Sequence, residues 1–337
     1  MIAQLDSRFI RTAPSRTASR LIGYTLFEGR PATTKGRWWN PVVFRNLRFA
    51  VRRRGGYVAA PIFIVGMGRT GTTLLGRILA AHPDVGFLNE PKAMWHVIRD
   101  DEDIIGSYSR LRNGRLYLGP SDADGSVVER AHALFAWYLW LSRSKRVVDK
   151  YPELVFRDAF VRAVFPDALF LVAIRSPWTT LRSVSNWSAS HAADGANWWG
   201  VRDQKWHTLW TQGVLERPEN ADIGTLELAS ANDERIRAGI EWLLSMRAAL
   251  SLVESDPSSY PVRYETLVRQ PREQISAILS FCGLAECPRT EAYAASTVTV
   301  TEQNDDDRNR LLSILPAGLI SAIDETWARL EACGRMS

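Results

Sequence analysis

The stretch PIFIVGMGRTGTTLLGRILAAHP, residues 61–83, constrains the fold more than any other part of the chain. PIFIV is a short apolar run of the kind that forms a strand buried on both faces of a parallel sheet. GMGRTGTT follows as a glycine-rich loop. Leu74, Leu75, Ile78 and Leu79 then share one face of a helix that ends at Pro83. Strand, glycine loop and helix in that order form the setting in which backbone N–H groups cradle a phosphate. Gly66 and Gly71 have the spacing of the nucleotide loop G-x-x-x-x-G-K-[ST], but its lysine is missing. Thr72 and Thr73 follow Gly71 directly, and the basic residue stands two places before it, at Arg69. The loop reads as an anion site of a different kind from an ATPase.

The remaining chain alternates in the same manner. A second strand is expected over 85–88, a mostly helical stretch over 92–145 with a polar loop at GPSDADGS, and a third strand at RVVD, 146–149. VFRDAFVRAVFP reads as helix and ALFLVAI, 168–174, as a strongly apolar strand. SPWTTLRSVSNW opens another helix, with Ser176 as N-cap and Pro177 at its first position. PVRYETL, 261–267, holds the last strand, followed by a helix to Cys282. This pattern predicts an α/β fold, a central parallel sheet flanked by helices. Three strand ends carry cations, Arg69, Lys150 and Arg175, and ligands of open α/β sheets bind beyond those ends.

Composition adds limits. With 337 residues and 46% hydrophobic content, the chain can bury a substantial core. Its net charge of +5 is unevenly spread: residues 1–60 hold twelve basic residues against Asp6 and Glu28, and the rest holds thirty basic against thirty-five acidic. Residues 1–57 therefore read as a basic N-terminal extension and 58–337 as the main domain, which gives no footing for nucleic acid as a partner. Asn40 to Arg54 has the pattern of a basic amphipathic helix suited to an acidic membrane surface, the alternative being a packed arm with solvated charges. Three cysteines without a C-x-x-C pair argue for a reducing compartment and against a disulfide framework or a zinc site. No apolar run reaches the length of a membrane span, and the first twenty residues lack a secretory pattern. The expected location is cytoplasmic, at most peripheral to a membrane.

The motifs together resemble the sulfotransferase family that uses 3′-phosphoadenosine 5′-phosphosulfate, PAPS, and are closest in style to its bacterial and carbohydrate-type branches. Arg69-Thr70-Gly71-Thr72-Thr73 matches that family's basic-[ST]-G-T-T loop. Arg175 and Ser183 match its strand-Arg-Ser unit, and Tyr264-Glu265-Thr266-Leu267 its late Y-E-x-L segment. The resemblance implies the P-loop-like sulfotransferase fold over roughly 61–285. It also implies PAPS as donor without a metal, bound by Arg69, Thr70, Gly71, Thr72, Thr73, Arg175, Ser183 and Tyr264. The lost lysine then makes sense, because PAPS has no γ-phosphate for it to bridge. Leu74 departs from the tryptophan that many cytosolic members carry after the two threonines.

Glu90, just past the second strand, matches the glutamate that serves as general base in those branches, with His96 as its rival. Lys150 matches a lysine after the third strand that would neutralise the sulfuryl group or position the acceptor, the alternative being a surface ion pair with Asp149. Trp187, Trp198, Trp199, Trp206 and Trp210 crowd a segment that includes Gly195 and Gly200 and lacks clean periodicity. It reads as a loop, either lining a carbohydrate acceptor site or forming a core layer or lid. The expected acceptor is a hydroxyl on a glycan, glycolipid or small metabolite. Two other readings remain open: an atypical ATP-dependent kinase, and a basic-arm adaptor for membrane or nucleic acid on a nucleotide-binding scaffold.

Overall fold

In the computed structural model, residues 3–32, 34–53, 55–109, 111, 113–191, 197–225, 233–298 and 305–333 are described. Strands β1 (Ile62–Gly66), β2 (Val85–Asn89), β3 (Arg146–Lys150), β4 (Leu169–Ile174) and β5 (Ser259–Arg263) form one parallel sheet in the order β2-β3-β1-β4-β5. Before β1 come α1 (Ser7–Thr12), α2 (Pro14–Leu26) and α3 (Asn40–Arg52). The crossovers carry α4 (Thr72–Ala80), α5 (Lys92–Ile98), α6 (Gly125–Ser142), α7 (Asp158–Val164), α8 (Pro177–His191), α9 (Gln204–Thr208), α10 (Ala221–Gly224) and α11 (Glu234–Ser255). After β5 follow α12 (Tyr264–Arg269), α13 (Pro271–Phe281), α14 (Pro288–Thr297), α15 (Asp305–Leu312) and α16 (Ala317–Cys333).

The period of two along each strand divides the side chains between two cores. Phe63, Val65, Phe170 and Val172 enter one, while Ile62, Ile64, Leu171 and Val148 enter the other. β1 is therefore buried throughout, and its five residues show no polar face. The order of the strands reverses beside β1, so the loop after it lies at the switch point where α/β sheets take ligands.

Several expected elements differ. The helical stretch over 92–145 is two helices, α5 and α6, separated by irregular chain. Asp103 holds that chain by accepting the N–H groups of Ser107, Tyr108 and Ser109, which competes with helix. The last strand ends at Arg263, and Tyr264 opens α12. In the tryptophan-rich segment, Trp187 lies on α8, Trp206 on α9 and Trp210 on a π-helical turn over Leu209–Leu215. Gly195 lies outside the described residues.

The boundary expected at residue 57 is not a structural one. β2 is an edge strand, paired only with β3. The 1–57 segment covers that edge: Arg16 donates to Val85 O at 2.5 Å, Arg20 to Phe87 O at 3.2 Å, and Glu28 accepts from Asn89 N at 2.8 Å. Arg20 and Glu28 are themselves paired and buried. Uncovered strand edges invite intermolecular pairing, and covering one with a helix removes that hazard. Part of the basic character of this segment is thus internal rather than an outward arm.

Arg157 is 1% exposed and pins the irregular chain to the turn after β3. It donates to Leu116 O at 3.1 Å, Glu102 O at 2.9 Å and the Glu102 carboxylate at 3.2 Å, where the Tyr151 hydroxyl also donates. Arg157→Met leaves the Glu102 charge buried without its cation. Breaking a buried pair from one side costs about 3–5 kcal/mol, and denaturant unfolding reads that loss directly. A loss below about 1 kcal/mol, the range of an exposed pair, would show that the pair does not hold the chain.

Candidate functional site

The loop between β1 and α4 turns through left-handed backbone at Arg69 (φ 73°) and Gly71 (φ 94°). A Cβ on Gly71 would stand 2.6 Å from the Tyr264 ring, so this position needs glycine twice over. Arg69 is not a glycine, and holding it there costs on the order of 1–3 kcal/mol, a strain that collects at functional sites. Thr70 is buried, and its hydroxyl donates to Met67 O at 2.7 Å, which ties the turn together. α4 begins at Thr72, and Leu75 N makes an early helical bond back to Gly71 O. The N–H groups of Thr72 and Thr73 therefore stand at the positive end of the helix.

The separated motifs meet here. Arg69 Nε donates to Ser183 Oγ on α8 at 3.0 Å. Arg175, at the end of β4 and 9% exposed, donates to Arg69 O at 2.9 Å. Its guanidinium lies 4.0 Å from the centre of the Tyr264 ring. Its Nε is buried with no hydrogen-bond partner among the described residues, a donor that calls for an acceptor. Arg69 thus touches both Ser183 and Arg175, which brings the expected pair to the same loop.

Glu90 follows β2 in left-handed backbone, φ 49°. Its N–H bonds Lys150 O at 2.7 Å, and its Oε1 accepts from Lys150 Nζ at 2.5 Å. Lys92 Nζ lies 3.8 Å from Oε2 and donates to Glu153 at 2.8 Å. Burial pushes the Glu90 carboxyl up, but Lys150 and Lys92 outweigh it and hold the carboxyl below its usual range. Burial likewise pushes Glu153 up, and Lys92 and Lys205 bring it down to about 2. Glu90 also acts on Arg69: burial lowers that guanidinium, and the Glu90 charge opposes the shift. Lys150 is not paired with Asp149. Alternation along β3 sends Asp149 to the other face, where it accepts from Trp95 Nε1 at 2.7 Å and burial drives its carboxyl well up. His96 packs against Phe44 and Tyr108, with Nδ1 3.2 Å from Asp100 O.

Two residues escaped the sequence reading. Lys92 and Glu153 complete the charged cluster around Glu90. Both stand close in sequence to expected strand ends, the only cue available. Of the tryptophans named from the sequence, Trp198 meets the loop: a Cβ on Gly68 would stand 2.7 Å from its ring, so its indole lies against the glycine loop. Glu241 fixes that indole by accepting its N–H at 2.6 Å and pairing with Lys205 at 2.5 Å. Trp199 and Trp206 are buried in the core, which divides the aromatic run between packing and the loop wall.

A parallel α/β sheet with a glycine loop at its switch point and cations at three strand ends is the setting in which such folds hold anionic ligands. The model of the sulfotransferase family matches residues 61–221, a little under half of the chain. It is similar to Nodulation protein NoeE of Sinorhizobium fredii, 24% identical over 227 residues, which are 66% of this chain and 49% of that protein. It is also similar to Protein-tyrosine sulfotransferase A of Caenorhabditis elegans, 26% identical over 140 residues, 40% of this chain and 36% of that one. The matched region thus spans about half or less of these relatives' length. Among solved structures, a sulfotransferase from Alicyclobacillus acidocaldarius aligns with 82% of this chain and 96% of its own, at 18% identity and a TM-score of 0.44. No helix among the described residues is long and apolar enough to cross a membrane.

Proposed function

We propose that this chain transfers a sulfuryl group from PAPS to an acceptor hydroxyl, with Glu90 as general base. The observation that carries the reading is the contact chain Ser183–Arg69–Arg175–Tyr264, which joins three distant motifs at the mouth of the glycine loop. The residues fit the donor. The unpaired Nε of Arg175 suits a phosphate oxygen, with Ser183 adding a hydroxyl. The loop from Thr70 through Gly71 to Thr72 and Thr73 offers backbone N–H groups to the 5′ end. Tyr264 offers a ring to adenine. PAPS supplies the sulfuryl group and no metal is needed.

Glu90 takes the acceptor proton as the acceptor oxygen bonds to sulfur. The bond from sulfur to the bridging oxygen breaks, and its electron pair stays on that oxygen. Arg69 and Lys150 answer the charge that grows there. Trp198 bounds the loop on the acceptor side, where an indole face suits a sugar or glycolipid ring. The nematode relative is named for a tyrosine acceptor, so phenols belong beside sugars in the acceptor screen. The three free cysteines accord with a reducing, cytoplasmic setting.

Calorimetry with 3′,5′-adenosine bisphosphate in the absence of metal tests the donor. Binding is expected, with ATP and Mg²⁺ weaker. Arg175→Ala should weaken the bisphosphate by about tenfold to hundredfold, the value of a charge-assisted hydrogen bond. Binding of ATP with Mg²⁺ and none of the bisphosphate would replace this reading with the kinase.

A further inference from the structure

The outward face of α3 and the end of α6 carry a feature that the transfer site does not use. Val43, Leu47 and Ala50 of α3 are buried in the core, so the helix cannot rotate. Its opposite stripe, with the residues flanking it, presents Trp38, Val42, Arg45, Arg48, Phe49 and Arg52 to solvent. Trp38 is 78% exposed and Phe49 49%. Trp137 and Trp140 of α6 extend the face: Phe49 meets Trp137 edge-on at 5.6 Å, and the two indoles stack at 4.8 Å. Arg53 lies over both Phe49 and Trp137. Trp140 is 66% exposed.

The charge on this face is mostly positive. Residues 37–53 hold five arginines and no acid, residues 133–146 hold no acid, and Asp84, which meets the chain just past α6, is paired with Lys145 at 2.8 Å. The nearest acid along α6 is Glu129, eleven residues before Trp140, or about 16 Å along the axis. Exposed aromatics packed together on a monomer mark a contact surface. Indoles and arginines side by side, with no acid between, are the chemistry of a lipid headgroup layer: rings settle at the acyl boundary while guanidinium groups meet phosphates. A protein partner would have to supply the acidic groups that this face itself lacks. A nucleic-acid duplex would meet the arginines with its phosphates and leave the indoles without a partner.

We propose that this face docks the chain onto an anionic bilayer. The fixed helix presents its stripe ready-made, and the surface pairs α3 with a part of α6 almost a hundred residues away. The proposal is independent of sulfuryl transfer. It also differs from a free basic arm, because Arg16 and Arg20 are buried against β2 and take no part.

Vesicle sedimentation of the full chain tests it. The protein should pellet with vesicles of phosphatidylcholine and phosphatidylglycerol in equal parts, and should stay in solution with phosphatidylcholine alone. The triple variant Arg45→Ala/Arg48→Ala/Arg52→Ala should partition about a hundredfold less, at roughly fivefold per arginine. Trp38→Ala/Trp140→Ala should weaken binding too, and it should reduce the part of the affinity that survives high salt. Both variants change exposed residues, and unchanged melting confirms that they fold. No pelleting with the anionic vesicles overturns the proposal, as does equal pelleting with neutral ones or binding untouched in both variants. Binding of a DNA duplex that is lost in the triple variant, without vesicle binding, would give the face to nucleic acid instead.

Discussion

Glu90→Gln is expected to lower kcat by about 10² to 10⁴, the contribution of a positioned general base. Glutamine keeps the shape of the side chain and an oxygen for Lys150 Nζ, so the 2.5 Å contact can persist while the proton acceptor is lost. Donor binding should change little, because the residues proposed for the donor lie on the loop after β1, on α4, at the end of β4, on α8 and on α12, not on β2. The loss should therefore fall on kcat while the affinity for the bisphosphate holds. His96→Ala is the matched control. Its ring is packed against Phe44 and Tyr108, and its loss should alter the rate by a few-fold at most. A Glu90→Gln enzyme that keeps its rate within about tenfold would remove Glu90 as the base, and a large loss in His96→Ala would install the rival.

What could be read from sequence follows the range of the physics involved. β1, the glycine loop and α4 are local: an apolar run, a glycine that must turn left-handed and a helical stripe lie within two dozen residues. Arg175 and Lys150 were legible because buried strands are short and their ends are marked by the first polar residue. The edge cover by Arg16, Arg20 and Glu28 was not, because those residues look like any solvated basic run until β2 is known to be an edge. Lys92 and Glu153 join Glu90 only once β2 and β3 are neighbours in register, with Asn89 opposite Lys150. The tryptophan-rich run divides residue by residue rather than acting as a block. Trp199 and Trp206 serve the core and Trp198 the loop wall, and only the partners Gly68 and Glu241 tell them apart.

Lys150→Met separates two roles that the structure superimposes. Lys150 Nζ has three protons, and one of them meets Glu90 Oε1. The others are free to face charge growing on the transferred group, and removing such a donor typically costs about 10² to 10³ in kcat. The pH profile carries the second role. In the intact protein, burial raises the Glu90 carboxyl, and Lys150 and Lys92 more than reverse it. A carboxyl held low is ionised down to acid pH, so the acid limb of the rate profile should lie below the usual carboxylate range. The same depression stabilises the fold above the unfolded-state value, and that stability is lost as pH falls through the folded one. With Lys150 gone, Lys92, at 3.8 Å, and the Arg69 charge are left to oppose burial, and the carboxyl must rise. The acid limb should therefore move to higher pH as the maximum falls. A lower maximum with an unmoved limb would mean that the titrating base is not Glu90. A cycle with Glu90→Gln sharpens the test: two groups that act as a pair lose far less together than the sum of their separate losses.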